Sequence, residues 1–430
     1  MLGRQFTACN EFFSHNKSRR DGIIKSIFII MKLKTIKQIR NLKHKTVLVR
    51  VDFNVPIERK KVLDNTRLLA SLPTIKYLTG KKAKVILVTH VGRPEGVEQK
   101  YSLEPVANEL EKIMGKKIKY LKNIKKILSK YFDFAQKEIG KMKAGQVFML
   151  DNIRFFVDEA KDKNDFSKKL AELGDVFVLD GFAVAHRDSA SVTGVAKYLP
   201  AYAGLLLEKE VKGLEKVIVK PKKPFVAVIG GAKMETKIPV LKALLPKADY
   251  ILIGGGIVNT YLKAKGFKVG ASLVDKEYEK EVLKYCKSKK VIKPVDVVVG
   301  DVKGKKFRVV SLPKEKGSLG MTTDEAILDI GPETIRLYSK YIKKAMTLVW
   351  NGAMGYFEQK PYDVGTMSVA RLVASVSKGS AYGVIGGGET LQAMDLTGMD
   401  EYVDMISTGG GAMLEFLSGK ELPGIKVVSR

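Results

Sequence analysis

The chain has 430 residues, 45% of them hydrophobic and 28% charged, an ordinary globular balance long enough for two or three domains. Lys+Arg number 76 against 46 Asp+Glu, a net charge of +30, which points to anionic partners (nucleic acid, acidic lipid or small phosphorylated molecules) or simply to a lysine-rich surface, because the lysines are spread along the whole chain. The two cysteines, Cys9 and Cys286, exclude a disulfide framework or a zinc site, and no apolar run approaches the roughly 18 residues of a membrane helix, so a reducing, cytoplasmic location without membrane attachment is expected.

Residues 1–30 lack periodicity and mix Arg4, Lys17, Arg19 and Arg20 with Glu11 and Asp21. They match a transit peptide poorly and read as a leader outside the fold, ahead of a natural start at Met31-Lys32-Leu33. From there, short β-branched runs alternate with amphipathic, lysine-rich stretches of helical length, the pattern of βα units on a parallel sheet buried on both faces. The runs of the first half are Val47–Val51, Val85–Val88, Val147–Leu150 and Val176–Leu179. Those of the second half are Phe225–Ile229, Tyr250–Ile253, Val297–Val299, Leu348–Trp350 and Tyr382–Ile385, with Val403–Ile406 a further short candidate. Between the halves, the segment from Gly204 to Leu214 reads as part of a connecting helix over about residues 203–218. The expected class is α/β: two Rossmann-like domains, each a parallel sheet flanked by helices, joined by an interdomain helix and hinge.

Strand ends in the first half lead into polar and basic side chains. Val51 precedes Asp52, Phe53 and Asn54; Val88 leads to His90-Val91-Gly92-Arg93; Leu150 leads to Asp151, Asn152 and Arg154; Leu179 leads to Asp180 and then His186-Arg187. In open parallel sheets the ligand crevice lies outside the carboxyl ends of the strands. Arginine matches phosphate and carboxylate bidentately, so these ends would line one crevice with positive charge and hold a small, multiply anionic ligand. The competing reading pairs each arginine with a local acid, Asp151, Asp180 or Asp188.

Strand ends in the second half lead into glycine: Gly230-Gly231-Ala232-Lys233, Gly254-Gly255-Gly256, Asn351-Gly352-Ala353-Met354-Gly355, Gly386-Gly387-Gly388-Glu389-Thr390 and Gly409-Gly410-Gly411. Glycine lets backbone N–H groups approach an anion, and the following helix N-terminus adds partial positive charge. Five such turns on one sheet read as a nucleotide site. Lys233 and Lys237 stand four residues apart, on one face if the helix has begun, or as surface lysines otherwise. A P-loop, a G-x-G-x-x-G dinucleotide or protein-kinase loop, H-E-x-x-H and C-x-x-C are all absent.

Taken together, Val49-Arg-Val-Asp-Phe-Asn-Val-Pro56, His90-Val-Gly-Arg-Pro94, Gly230-Gly-Ala-Lys233, Val349-Trp-Asn-Gly352, Gly386-Gly-Gly-Glu-Thr390 and Ser407-Thr-Gly-Gly-Gly-Ala412 closely resemble the phosphoglycerate kinase family, in order from about Met31 to the C-terminus. The resemblance implies reversible phosphoryl transfer between 1,3-bisphosphoglycerate and ADP, giving 3-phosphoglycerate and ATP. It implies a first domain for the glycerate and a second for Mg-ATP or Mg-ADP. Carried over residue by residue, Asp52, Phe53 and Asn54 match the glycerate positions, and Arg67 matches the arginine that acts on the transferring group. His90, Arg93, Arg154 and Arg187 match the basic patch, with the three arginines on the 3-phosphate; Val91 and Gly92 belong to the same substrate-binding set, and His186 sits beside the patch. Lys233 and Lys237 match the nucleotide-side lysines, and Asn351 and Glu358 match positions at the phosphates and ribose. Gly254, Gly255 and Gly256 match part of the adenine pocket. Gly386, Gly387, Gly388, Glu389 and Thr390 match a further nucleotide loop, with Glu389 at the Mg²⁺. Gly409, Gly410 and Gly411 match the helix start that faces the transferring phosphate.

Three positions depart from the family. Glu389 replaces the usual Asp, Ala353 replaces a Pro, and Met405 replaces a His. The expected organisation is a leader at 1–30, a 3-phosphoglycerate domain at 31–202, a nucleotide domain at 203–414 including the connecting helix, and a segment at 415–430 returning to the first domain. A monomer is expected, with no nucleic acid required. Two rival readings are a nucleic-acid-binding protein that uses the +30 charge and an inactive relative that serves as a scaffold.

Overall fold

The computed structural model describes residues 32–122, 130–161, 164–313 and 317–430; the leader expected at 1–30 lies outside the described residues. The β-branched runs of the first half form the centre of a six-stranded parallel sheet. Its order is Ile118–Leu121, Val147–Leu150, Lys84–Val88, Thr46–Arg50, Val176–Leu179 and Ala201–Ala203. Val47 pairs with Val85 on one side and Val176 on the other. Both faces are covered, so Val47, Leu48 and Val49 have no exposed surface, as a strand sandwiched between helices requires.

The second six-stranded parallel sheet runs Val291–Ile292, Tyr250–Ile253, Phe225–Ile229, Thr347–Asn351, Tyr382–Gly386 and Met405–Ser407. All five glycine turns follow strands of this sheet. The Val403–Ile406 candidate is displaced slightly, with Val403 outside the strand.

One expected strand of this sheet is elsewhere. Val297–Val299 lies in Asp296–Gly300, the middle of a three-stranded antiparallel sheet between Phe307–Ser311 and Ala326–Ile330. Val297 and Val299 are buried while Val298 is partly exposed, so one face meets the core and the other meets water. That alternation belongs to an antiparallel ribbon rather than a doubly covered strand.

The halves are joined by the helix Leu205–Ile218, whose buried Leu207, Val211, Leu214 and Ile218 recur at three- and four-residue spacing. The chain end returns to the first half: Lys34 N donates to Val428 O (2.8 Å), Gly424 N to Ala185 O (2.8 Å) and Arg430 N to Lys32 O (3.0 Å).

Candidate functional site

At the carboxyl ends of the first sheet, Arg93, Arg154, His186 and Arg187 line one cavity of about 680 Å³. Arg154 is steered by its surroundings: its backbone N–H donates to Asn152 Oδ1 (3.1 Å) and its Nη1 to Gly92 O (2.6 Å). Asn54 Oδ1 accepts from Gly92 N (2.9 Å), so the ends of two adjacent strands are locked together. The local acids do not neutralise these arginines. Asp151 accepts from Tyr120 and Asn152 N, Asp180 from Thr74 and Leu206 N, and Asp188 from Thr193.

The two histidines do not add charge as the sequence suggested. Burial drives the pKa of His90 well below the usual value, and Arg50, Arg187 and Arg67 push it the same way. Arg50 Nη2 donates to His90 Nδ1 (3.1 Å), so the ring proton sits on Nε2. Burial likewise lowers the pKa of His186, against the opposing Glu415. The positive field of the cavity is therefore arginine alone.

Arg50 has no counterpart among the expected site residues. It ends the central strand at 1% exposure, and burial lowers its pKa to about 10 against the opposing Glu159, so it stays charged at neutral pH. Its Nε donates to Ser191 Oγ (2.8 Å), and Glu159 accepts from Ser191 Oγ (2.6 Å), Ser191 N (2.9 Å) and Ser189 Oγ (2.9 Å). A charged residue inside a run that is otherwise doubly buried was the available signal, because such a side chain must be paired.

Arg67, in the first turn of the helix Thr66–Gly80, is not among the residues that line the arginine-rich cavity. It lines a cleft of about 540 Å³ together with Gly388, Ile406 and Thr408 of the second half. Its guanidinium pairs with the Asp52 carboxylate. It does not pair with Asp64, whose Oδ1 instead accepts from Thr66 N (2.8 Å) and Thr66 Oγ1 (2.6 Å). Across the cleft, Thr408 N (2.7 Å) and Oγ1 (2.9 Å) donate to Glu210 Oε1 of the connecting helix, which fixes the turn ahead of Gly409–Gly411. Gly409 packs on Phe182 so closely that a Cβ would overlap its ring.

In the second half a cavity of about 400 Å³ is lined by Gly231, Gly255, Gly256, Met354, Glu358 and Glu389, among others. Leu273, Val302 and Tyr356 give it an apolar side suited to a flat ring. Gly254 lies behind it against Met354. Lys233 and Lys237 do not share a helix face. The helix is Met234–Leu244, so Lys233 precedes it in extended conformation and is exposed, whereas Lys237 is buried. Lys237 Nζ donates to Asn351 Oδ1, and Asn351 Nδ2 donates to Gly386 O, so Asn351 is 1% exposed and faces the lysine. Thr390 Oγ1 accepts from Gly352 N (2.7 Å) and ties the same two turns together.

Glu389 is exposed in the first turn of Gly388–Asp395, beside Gly231 and within electrostatic reach of Lys237. Among the described residues no group of three or more His, Cys, Asp or Glu is arranged to hold a metal ion by itself. A single carboxylate is what Mg²⁺ needs when phosphates and water supply its other ligands.

Comparison with known proteins agrees with this geometry. The phosphoglycerate kinase family model matches residues 36–420. The chain is similar to phosphoglycerate kinase of Pelotomaculum thermopropionicum, 43% identical over 406 residues that cover 93% of this chain and 99% of that protein. It is similar to that of Borrelia garinii, 41% identical over 410 residues covering 93% and 100%. Among solved structures it is similar to phosphoglycerate kinase from Coxiella burnetii, with a TM-score of 0.78 and 37% identity over 92% of this chain and 98% of that chain.

Proposed function

The chain belongs to the phosphoglycerate kinase family, and from that premise we propose how its own residues carry the reaction. It is a kinase that transfers a phosphoryl group between 1,3-bisphosphoglycerate and ADP, giving 3-phosphoglycerate and ATP. Our reading assigns residues 31–202 to the glycerate and 203–414 to the nucleotide, with 415–430 returning to the first domain. The observation that carries it is an arginine-lined cavity on one sheet and a glycine-rimmed apolar cavity on the other, together with a cleft that holds Arg67 and is lined by residues of both halves.

In this reading Arg93, Arg154 and Arg187 grip the 3-phosphate, and Asp52, Asn54 and neutral His90 orient the glycerate. Arg50, held by Glu159 through Ser191, keeps His90 as an Nε2–H donor. The acceptor carboxylate, with a pKa near 4, is already ionised at neutral pH, so no general base is required. What remains is to align donor and acceptor and to stabilise charge on the phosphoryl group in flight. Arg67, Lys237 and the backbone N–H groups of Gly409–Gly411 supply the donors. Asn351 aims Lys237 rather than touching nucleotide itself. Glu389 would hold Mg²⁺, which when bound neutralises nucleotide phosphate charge. The two halves must close about the connecting helix, which also excludes water.

No helix among the described residues is long and apolar enough to cross a membrane. A monomer in the cytoplasm is the form proposed. A coupled assay of the purified chain with 3-phosphoglycerate and Mg-ATP tests the function. Robust turnover is expected; nucleotide binding without turnover would favour a scaffold, and salt-dependent duplex binding alone would favour a nucleic-acid protein.

A further inference from the structure

The helix that joins the two halves lacks a cap of its own. Gly204 precedes it, and no side chain at that position can accept from the orphan N–H groups of its first turn. They are satisfied from far away in sequence. Leu205 N donates to Thr74 Oγ1 (2.9 Å) and Leu206 N to Asp180 Oδ1 (3.0 Å), while Thr74 Oγ1 itself donates to Asp180 Oδ1 (2.6 Å). Asp180 and Thr74 have no exposed surface. A Cβ on Gly204 would overlap the Asp180 carboxylate, so the approach depends on glycine.

Three elements meet at this carboxylate. Asp180 directly follows the strand Val176–Leu179, and its N–H donates to Arg50 O (2.9 Å). Thr74 lies two turns along the helix that begins at Thr66-Arg67. Leu206 lies one turn before Glu210, which holds Thr408 beside Gly409. Closer to the cleft the two helices are separated by a cavity of about 370 Å³, lined by Leu69, Ala70 and Pro73 from one and Leu206, Lys209 and Glu210 from the other.

We propose that Asp180 and Thr74 are positioning residues for phosphoryl transfer: their hydrogen bonds to the start of the connecting helix set the angle between the helix that carries Arg67 and the helix that carries Glu210. Neither residue lines a substrate cavity, so substrate binding to each half should not depend on them. Closure should, because a rotation of the connecting helix about an uncapped end moves Gly409–Gly411 relative to Arg67. A 1 Å error at a reacting centre is worth on the order of 10²-fold in rate.

The turnover readout rests on the functional reading above. Thr74→Val and Asp180→Ala are expected to lower kcat at least about tenfold while KM for each substrate stays within about twofold. Thr74→Ser and Asp180→Asn keep an acceptor oxygen and are expected to restore kcat. Small-angle scattering supplies a readout independent of turnover: Thr74→Val should compact less than wild type when both ligands are present. Should Asp180→Ala fail to fold, Thr74→Val and its serine rescue decide alone. A folded Thr74→Val chain with wild-type kcat and wild-type compaction overturns the proposal, as does a variant whose KM rises while kcat is kept. A wild-type chain without turnover would instead sink the functional reading, leaving the scattering comparison to decide the coupling.

Discussion

Lys237 Nζ donates to Asn351 Oδ1 beside Gly231, a residue of the glycine-rimmed cavity, in a bond between residues 114 positions apart in sequence. Burial lowers the pKa of this lysine from 10.5 to about 8, with Glu389 pulling the other way. Two consequences follow from the sign. In the pH window from about 8 to 10.5 the unfolded chain holds more protons at this site than the folded one, so the site's cost to stability is full below pH 8 and is relieved as pH rises to 10.5. Nucleotide phosphates placed beside Lys237 should raise its pKa again. ADP binding near pH 8.5 should then take up protons, with a fraction that disappears in Lys237→Met. Calorimetry in buffers of different ionisation enthalpy measures this, and proton uptake unchanged by the substitution would remove Lys237 from the phosphate site.

Arg154 and Arg187 are expected to act in binding. A charge-assisted hydrogen bond to phosphate contributes about 1.5–3 kcal/mol, so Arg187→Ala should raise KM for 3-phosphoglycerate by roughly 10- to 100-fold. The loss in kcat should be smaller, and KM for ATP should change little. Steady-state kinetics with each substrate varied in turn check the split.

The parallel sheets were legible because strands covered on both faces read as continuous runs: Val47–Val51 and Phe225–Ile229 announce themselves. Ile118–Leu121 was not, since Lys119 and Tyr120 interrupt the run at the sheet's edge, where one side of the strand is free. The antiparallel ribbon was misplaced because Val297–Val299 is too short for its alternation to be seen. In the site, the strand-end arginines follow from where α/β sheets place ligands. The Arg50–Ser191–Glu159 network does not, because its hydrogen bonds join residues 141 and 32 positions apart. Nor could spacing show that His90 is neutral, since that depends on burial beside Arg50.

Closure is the next expectation. Arg67 and Thr408 border the same cleft from opposite halves, so bringing a glycerate and a nucleotide together should shrink the molecule. The radius of gyration from small-angle scattering should fall when both ligands are bound and fall less with either alone. An unchanged radius with both present would argue against hinge closure.

The central claim is that Arg67 acts on the phosphoryl group in flight and not on a bound substrate. It does not line the arginine cavity, so its removal should leave the grip on the 3-phosphate nearly intact. An arginine at that place is typically worth about 10³–10⁵ in rate. Steady-state kinetics of a folded Arg67→Ala enzyme test it most directly. A kcat lowered about 10³-fold or more, with KM for ATP within a few-fold of wild type, is expected. A near-normal kcat, or a loss confined to thermal stability as an Asp52 ion pair alone would cause, would contradict it.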